Sequence, residues 1–180
     1  MKYIILDFGK VLAGPTTGHW FITPKLLEVL NMEIIDIENL KNAITKHLHF
    51  ISKKMVDLDH EYQIFYEFYK HVLKEIDYPF YEEELVEKIA YNITYESDKY
   101  TFYDSVLEEL LTDNWPCVLP ILKNAGIYEY FERIYISSYY ELTKKDKEFF
   151  YISIKDFNIE EKTTYFVDDS IENLKVAESC

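Results

Sequence analysis

Lys2-Tyr-Ile-Ile-Leu-Asp-Phe-Gly-Lys-Val-Leu12 opens the chain with a short apolar run, Tyr3 to Leu6, that ends on one carboxylate, Asp7, and a glycine-bearing turn. A buried strand delivering an acidic side chain at its carboxyl end is how open α/β sheets build sites. Ligands bind in the crevice beyond the carboxyl ends of parallel strands. The pattern recurs near the other end of the chain. Thr163-Thr-Tyr-Phe-Val167 reads as a strand, and Asp168-Asp169 stand at its tip. Three carboxylates gathered in one crevice repel each other unless a cation sits among them. The two strand tips therefore predict one shared acidic site.

Composition bounds what that site serves. The chain has 180 residues, enough for one sizeable core plus an inserted subdomain, and its 48% hydrophobic content is that of a globular protein. The formal net charge of −14 disfavours nucleic acid and anionic membrane, which both need positive charge. A phosphorylated substrate would need a local cationic site working against that field. Cys117 and Cys180 form neither a metal spacing nor a disulfide framework, so reduced cytoplasmic thiols are expected. The first strand begins at residue 2, so nothing resembles a signal peptide. No apolar run approaches the ~20 residues that span a bilayer. A cytoplasmic protein without a membrane partner is expected, its oligomeric state left open. The 17 tyrosines and 12 phenylalanines are expected to fill the core and the inserted helices rather than an aromatic ligand box.

Between the two acidic tips lies a long helical stretch. Thr23-Pro24 reads as N-cap and first residue of a helix to about Leu30. Asp36 can cap a second helix, with Leu40, Ile44, His47, Leu48 and Ile51 along one face. Asp59 can cap a third, in which Tyr62, Phe65, Tyr66, Tyr69, Val72, Leu73 and Ile76 recur at helical spacing. After Pro79 a fourth helix buries Leu85, Val86, Ile89, Ala90 and Ile93. His47, His49, His60 and His71 show no metal-ligand spacing, and His47 is expected to be packed. Residues 15–95 thus read as an insertion, a small helical cap.

After Asp98 the character changes. Asp104 to Leu110 looks helical, and a helix follows from Pro116 to about Asn124, stopped by Gly126. Arg133 to Ser137 reads as a strand. Lys144, Lys145 and Lys147 cluster in a polar connection, and Asp146 can cap the next helix, with Phe149, Phe150 and Ile154. The strand to Val167 and a last helix, Ile171 to Glu178, complete the chain. Alternating strands and helices predict an α/β fold: a Rossmann-like three-layer core around a parallel sheet, formed by residues 1–14 and 96–180, with a helical cap at 15–95.

Four pieces now stand in order: Asp7, Thr112, Lys144 and Asp168-Asp169. Here the chain resembles the haloacid dehalogenase-like (HAD) superfamily. The resemblance rests on Ile4-Ile-Leu-Asp-Phe-Gly-Lys-Val-Leu12, on Leu111-Thr-Asp-Asn-Trp115, on Leu142-Thr-Lys-Lys-Asp-Lys-Glu148 and on Tyr165-Phe-Val-Asp-Asp-Ser-Ile-Glu-Asn-Leu174. It covers the two core segments, about half the chain. Each motif alone is weak. Their order is the signal, with spacings of 32 from Thr112 to Lys144 and 24 from Lys144 to Asp168.

The resemblance implies a hydrolase, a magnesium-dependent phosphatase acting on a small phosphorylated metabolite. Asp7 would attack phosphorus and form an aspartyl-phosphate, splitting hydrolysis into two easier steps. Thr112 and Asp113 would meet the phosphate, the first through its hydroxyl. Lys144 would neutralise nucleophile and phosphoryl oxygens as a point charge, with Lys145 one register away. Magnesium would be held by Asp7, the Gly9 carbonyl, Asp168 and Asp169, because hard oxygen ligands suit it. Asn173 would orient these carboxylates.

This sequence also departs from the family pattern. Most phosphatases of the superfamily carry a second Asp two residues after the nucleophile, where this chain has Gly9, the feature of a subgroup with Asp-Leu-Gly-Asn-Val-type motifs. General acid–base help, typically about 10²–10⁴-fold, would be missing, and substrates with good leaving groups would suffer least. Lys10 stands where the family has Gly or Asn, residues that tolerate positive φ. The segment before Thr112 is short, and the sequence stops at Cys180, where the family adds a strand and helix, so either the core is trimmed or the sequence is incomplete. Two other readings stand beside the phosphatase. One is a non-catalytic binding or regulatory module on the same fold. The other is a haloacid dehalogenase, which needs no metal and gains nothing from Asp168-Asp169.

Overall fold

The computed structural model describes residues 3–51, 54–96, 98–102, 109–157 and 164–180. In chain order the elements are β1 (Tyr3–Leu6), β2 (Ala13–Pro15), α1 (Pro24–Val29), α2 (Ile37–His47), α3 (Leu58–Glu75), α4 (Glu83–Tyr95) and β3 (Tyr100–Phe102). There follow β4 (Glu109–Thr112), α5 (Val118–Asn124), β5 (Arg133–Ile136), α6 (Ser137–Tyr140), α7 (Lys147–Phe157), β6 (Thr164–Val167) and α8 (Ile171–Glu178).

Four strands make a fully parallel sheet in the order β5-β4-β1-β6. Alternation along each strand divides its side chains between two faces. Leu6, Leu110 and Ile136 pack with Val118, Ile121 and Leu122 of α5. Ile5, Leu111 and Tyr135 point the other way, into Phe149 and Phe150 of α7, with Val176 and Ala177 of α8 alongside. The result is a Rossmann-like α/β core of three layers.

Register gathers the strand ends. Leu6 pairs with Val167 on one side and with Leu110 on the other. Asp7 and Asp168 therefore leave the sheet side by side, and the Asp7 N–H donates to the Val167 carbonyl at 2.9 Å. Thr112, paired with Ile136, ends β4 on the same edge.

The chain leaves that edge through a tight loop. The Leu12 and Ala13 N–H groups both donate to the Phe8 carbonyl at 3.0 Å, and the Lys10 N–H donates to the Ala13 carbonyl at 2.7 Å. Lys10 adopts φ 59°, the left-handed conformation that the sequence places on an unfavourable residue. The antiparallel ribbon of β2 and β3 then brackets α1 to α4, which bury Leu26, Leu40, Ile44, Phe65, Phe68, Tyr69, Val72 and Ile89 in a core of their own.

Thr23 caps α1, its hydroxyl accepting the Leu26 N–H at 3.0 Å, and Asp36 caps α2 by accepting the Glu38 N–H at 2.9 Å. Five boundaries differ from the sequence reading. The helix read from Pro116 begins at Val118. The cap of α3 is Asp57, which sits in extended backbone and accepts the His60 N–H at 2.7 Å; Asp59 lies inside the first turn. Glu109 and Leu110, read as helix, belong to β4, paired with β1 and β5; the remainder of that expected helix lies outside the described residues, as does Thr163. Ser137, read as strand, opens α6. Asp146 precedes α7, but its carboxylate turns back to accept the Thr143 N–H and hydroxyl, each at 2.9 Å.

Candidate active site

The site is built where β1, β4 and β6 end together. Asp7 is almost fully buried there, and Lys144 more so, at 6% and 2% exposed. The Lys144 ammonium lies 2.6 Å from Asp7 Oδ1 and 2.6 Å from Asp168 Oδ2. One cation thus bridges the two strand-end carboxylates. Its backbone is fixed as well, since the Lys144 N–H donates to Asp113 Oδ1 at 2.9 Å. Lys145, the alternative one register on, is exposed.

Asp168 is the most heavily tied of the carboxylates. Besides Lys144 it accepts the Ser170 N–H at 2.8 Å, and the Asn173 amide donates to both of its oxygens at 3.1 Å. Ser170 caps α8, so the helix that follows β6 sets the geometry of the acid that ends it. Asp169 faces outward and pairs with the Lys10 ammonium at 3.2 Å.

Asp7, Asp168 and Asp169 each bring one oxygen into a group whose members lie within 4.8 Å of one another; among the described residues no other His, Cys, Asp or Glu set of three does so. The electrostatics follow from this crowding. Burial raises the Asp7 carboxyl to about 6, against the pull of Lys144 and with a smaller push from Asp168. Desolvation likewise raises Asp113, although its side chain opens to solvent, and Lys144 opposes the rise. Two ammonium groups face three carboxylates, an arrangement that a hard divalent cation can complete.

Above this floor is a cavity of about 340 Å³, in the range of small-molecule sites. Asp7, Thr112, Asp113, Lys144, Asp169 and Asn173 line its base. Thr112 is buried at the end of β4. The walls are mostly aromatic, from Phe8, Trp20, Phe21, Phe65, Tyr100 and Trp115, with Ile93, Lys99, Asn114 and Cys117 alongside. Gly9 lies under Trp20, and a Cβ on it would stand 3.4 Å from two carbons of the indole and 3.7 Å from Asp7 Oδ2.

The sequence-derived residues Asp7, Gly9, Thr112, Asp113, Lys144, Asp169 and Asn173 share one cavity, and Asp168 supports it through Lys144 and Asn173. Sequence reasoning missed three features. It did not pair Lys10 with Asp169. It did not find the Asp113 anchor on Lys144. It assigned the aromatics to core, where Phe8 and Phe65 do pack, and did not see that six of them also line the cavity. The only signal for the last was position, since Trp20 and Trp115 each lie near a motif.

Comparison of the fold with solved structures places these observations. A HAD family enzyme of Bacteroides thetaiotaomicron, in complex with magnesium and inorganic phosphate, superposes with a TM-score of 0.59 at 16% identity, over 99% of this chain and 90% of that one. This chain has the haloacid dehalogenase-like fold. A 2-haloacid dehalogenase of Pseudomonas syringae aligns over 99% and 83% of the two chains, at 11% identity and a TM-score of 0.61. A predicted phosphoglycolate phosphatase of Haemophilus somnus aligns over 99% and 81%, at 18% identity and a TM-score of 0.54. No protein-family model and no curated protein sequence matches the chain. In this haloacid dehalogenase-like fold the acidic cluster occupies the carboxyl edge of the sheet, the position where open parallel sheets place their ligands.

Proposed function

We propose that this chain is a magnesium-dependent phosphatase, which passes the phosphoryl group of a small phosphorylated metabolite to Asp7 and then to water. The observation that carries the reading is the buried Lys144 ammonium held between Asp7 and Asp168, with Asp169 beside them at the base of a cavity.

Asp7 Oδ1 is taken up by Lys144, whereas Oδ2 lies toward Gly9 on the cavity side. Oδ2 attacks phosphorus, the P–O ester bond breaks, and the departing oxygen takes a proton from solvent. Water then attacks the aspartyl-phosphate, releasing inorganic phosphate and restoring the carboxylate. Lys144 offsets charge on the nucleophile and the phosphoryl oxygens in a buried setting where a point charge acts strongly. Thr112 donates its hydroxyl to a phosphoryl oxygen, and Asn173 keeps Asp168 fixed. Asp7, the Gly9 carbonyl, Asp168 and Asp169 would hold magnesium, which supplies Lewis-acid neutralisation of the phosphoryl oxygens when bound. The hard oxygen donors and the unbalanced carboxylate charge suit it, and a fold neighbour binds magnesium with phosphate. In this reading residues 1–14 and 96–180 form the catalytic core and 15–95 the cap that covers it.

The test is phosphate release from a panel of phosphate esters and acyl phosphates, with and without magnesium. Turnover that needs magnesium and disappears in Asp7→Asn is expected; turnover retained in Asp7→Asn overturns the reading. Halide release from a haloacid without magnesium would assign the dehalogenase chemistry of other fold neighbours instead. The Lys10–Asp169 pair favours one further reading, a binding module in which two lysines stand in for the metal. Phosphate binding without turnover would assign that.

A further inference from the structure

The cavity wall beside Asp7 is carbon. The Trp20 indole covers Gly9 and fills the space into which a side chain there would project. Trp20 meets Tyr100 with ring centroids 5.8 Å apart, and Trp115 meets Phe21 at 6.2 Å and Phe65 at 5.6 Å. These rings support one another, so the aromatic surfaces are fixed before any ligand arrives. They stand over a polar base of carboxylate, ammonium, hydroxyl and amide groups. With magnesium held at that base, a ligand matching both halves has a dianionic end and a flat apolar end.

The same wall bears on the leaving oxygen. An alkoxide expelled against the face of the indole carries a localised charge that a ring face does not neutralise, whereas a phenolate or enolate carries its charge by delocalisation. The geometry points to a phosphate monoester of a planar aromatic alcohol as the substrate class, with the phosphoryl group at Asp7 and the ring against Trp20 and Trp115. The assignment rests on the phosphatase reading for its chemistry and on the aromatic wall alone for its binding.

Two measurements separate these. The first is calorimetric binding, with magnesium, of benzylphosphonate and cyclohexylmethylphosphonate, which share a carbon skeleton but differ in planarity. Benzylphosphonate is expected to bind about tenfold tighter, the effect of one aromatic contact. Trp20→Leu should abolish the preference and Trp20→Phe should keep it. Equal binding of the two by the wild-type protein overturns the assignment, whether or not the variants fold. The second is hydrolysis of phenyl phosphate against cyclohexyl phosphate, with phenyl phosphate expected to be favoured. Glycerol phosphate turned over without preference for the aromatic ester overturns the substrate class and leaves the phosphatase reading standing. Selective benzylphosphonate binding without any ester turnover upholds the aromatic site and removes the phosphatase reading.

Discussion

At the scale of single residues, the site is a balance of buried charge. Lys144 offsets two carboxylates at once, so Lys144→Met strands them in a desolvated pocket. A loss of about 3–5 kcal/mol in stability is expected from urea denaturation, together with loss of turnover. Lys10 is the opposite case. Its pair with Asp169 is exposed, worth about 0–1 kcal/mol, and its φ of 59° is costly for a side chain. Lys10→Gly is therefore expected to stabilise the fold by about 1 kcal/mol, as read by denaturation. Calorimetry should also show tighter magnesium binding in that variant, because the ammonium no longer occupies Asp169. Weaker binding would mean that Lys10 helps to hold the ligand rather than competing for Asp169. Asp7 and the Asp168-Asp169 pair were legible in the sequence because each stands at the end of an apolar run, whereas Lys144, in a polar connection, was legible only through the order of the four motifs. Lys10–Asp169 was not, since nothing in either motif says that the left-handed turn aims the ammonium across to the other strand tip.

At the scale of elements, α3 reaches the core through one buried acid. Glu61 is fully buried, and its Oε2 accepts the Cys117 N–H at 2.8 Å before α5, 56 positions away in the chain. Its Oε1 is buried without a hydrogen-bond partner, and burial raises its pKa from 4.5 to about 7 despite the nearby Lys99. The folded state thus holds this proton more tightly than the unfolded chain does. Stability contributed by that proton is present below about pH 4.5 and is lost as pH rises toward about 7, a change of about 3 kcal/mol. Glu61→Gln keeps the shape and cannot ionise. Its stability relative to wild type should rise between about pH 4.5 and 7 and level off above that in urea titrations; a pH-independent difference would show that Glu61 is already ionised at the low end. Helix periodicity and the caps at Thr23 and Asp36 gave the helices. The cap of α3 was misread because Asp57 and Asp59 both precede the apolar face, and only backbone geometry separates them. The Glu61 contact had no local signature at all, because packing between distant elements creates it. The same holds for Trp20 over Gly9.

At the scale of the whole molecule, the sheet order places every motif on one edge, and the chain as a whole is acidic. The net charge of −14 repels a dianionic ester at long range, while Lys144 and Lys10 act only at short range. Salt screens the first more than the second. At saturating magnesium, kcat/KM for a phosphate ester should rise as ionic strength is raised toward about 0.15 M, where the screening length is about 8 Å. A fall would show that the lysines steer the substrate from outside the cavity. The alternation of strands with helices along the chain foretold the parallel three-layer core, because element order limits how the layers can stack. The identity of the cavity wall depends on how the helices settle on the sheet, which no local pattern encodes. The central claim is that the Asp7 carboxylate accepts the phosphoryl group, and it is tested most directly by acid-quenching the protein during turnover with magnesium and locating the modification by peptide mass spectrometry. One phosphoryl group on the peptide containing Asp7, absent in Asp7→Asn, is the predicted result. Turnover at full rate with an unmodified Asp7 peptide at every quench time, after trapping of the acyl phosphate by hydroxylamine has also failed, would contradict it.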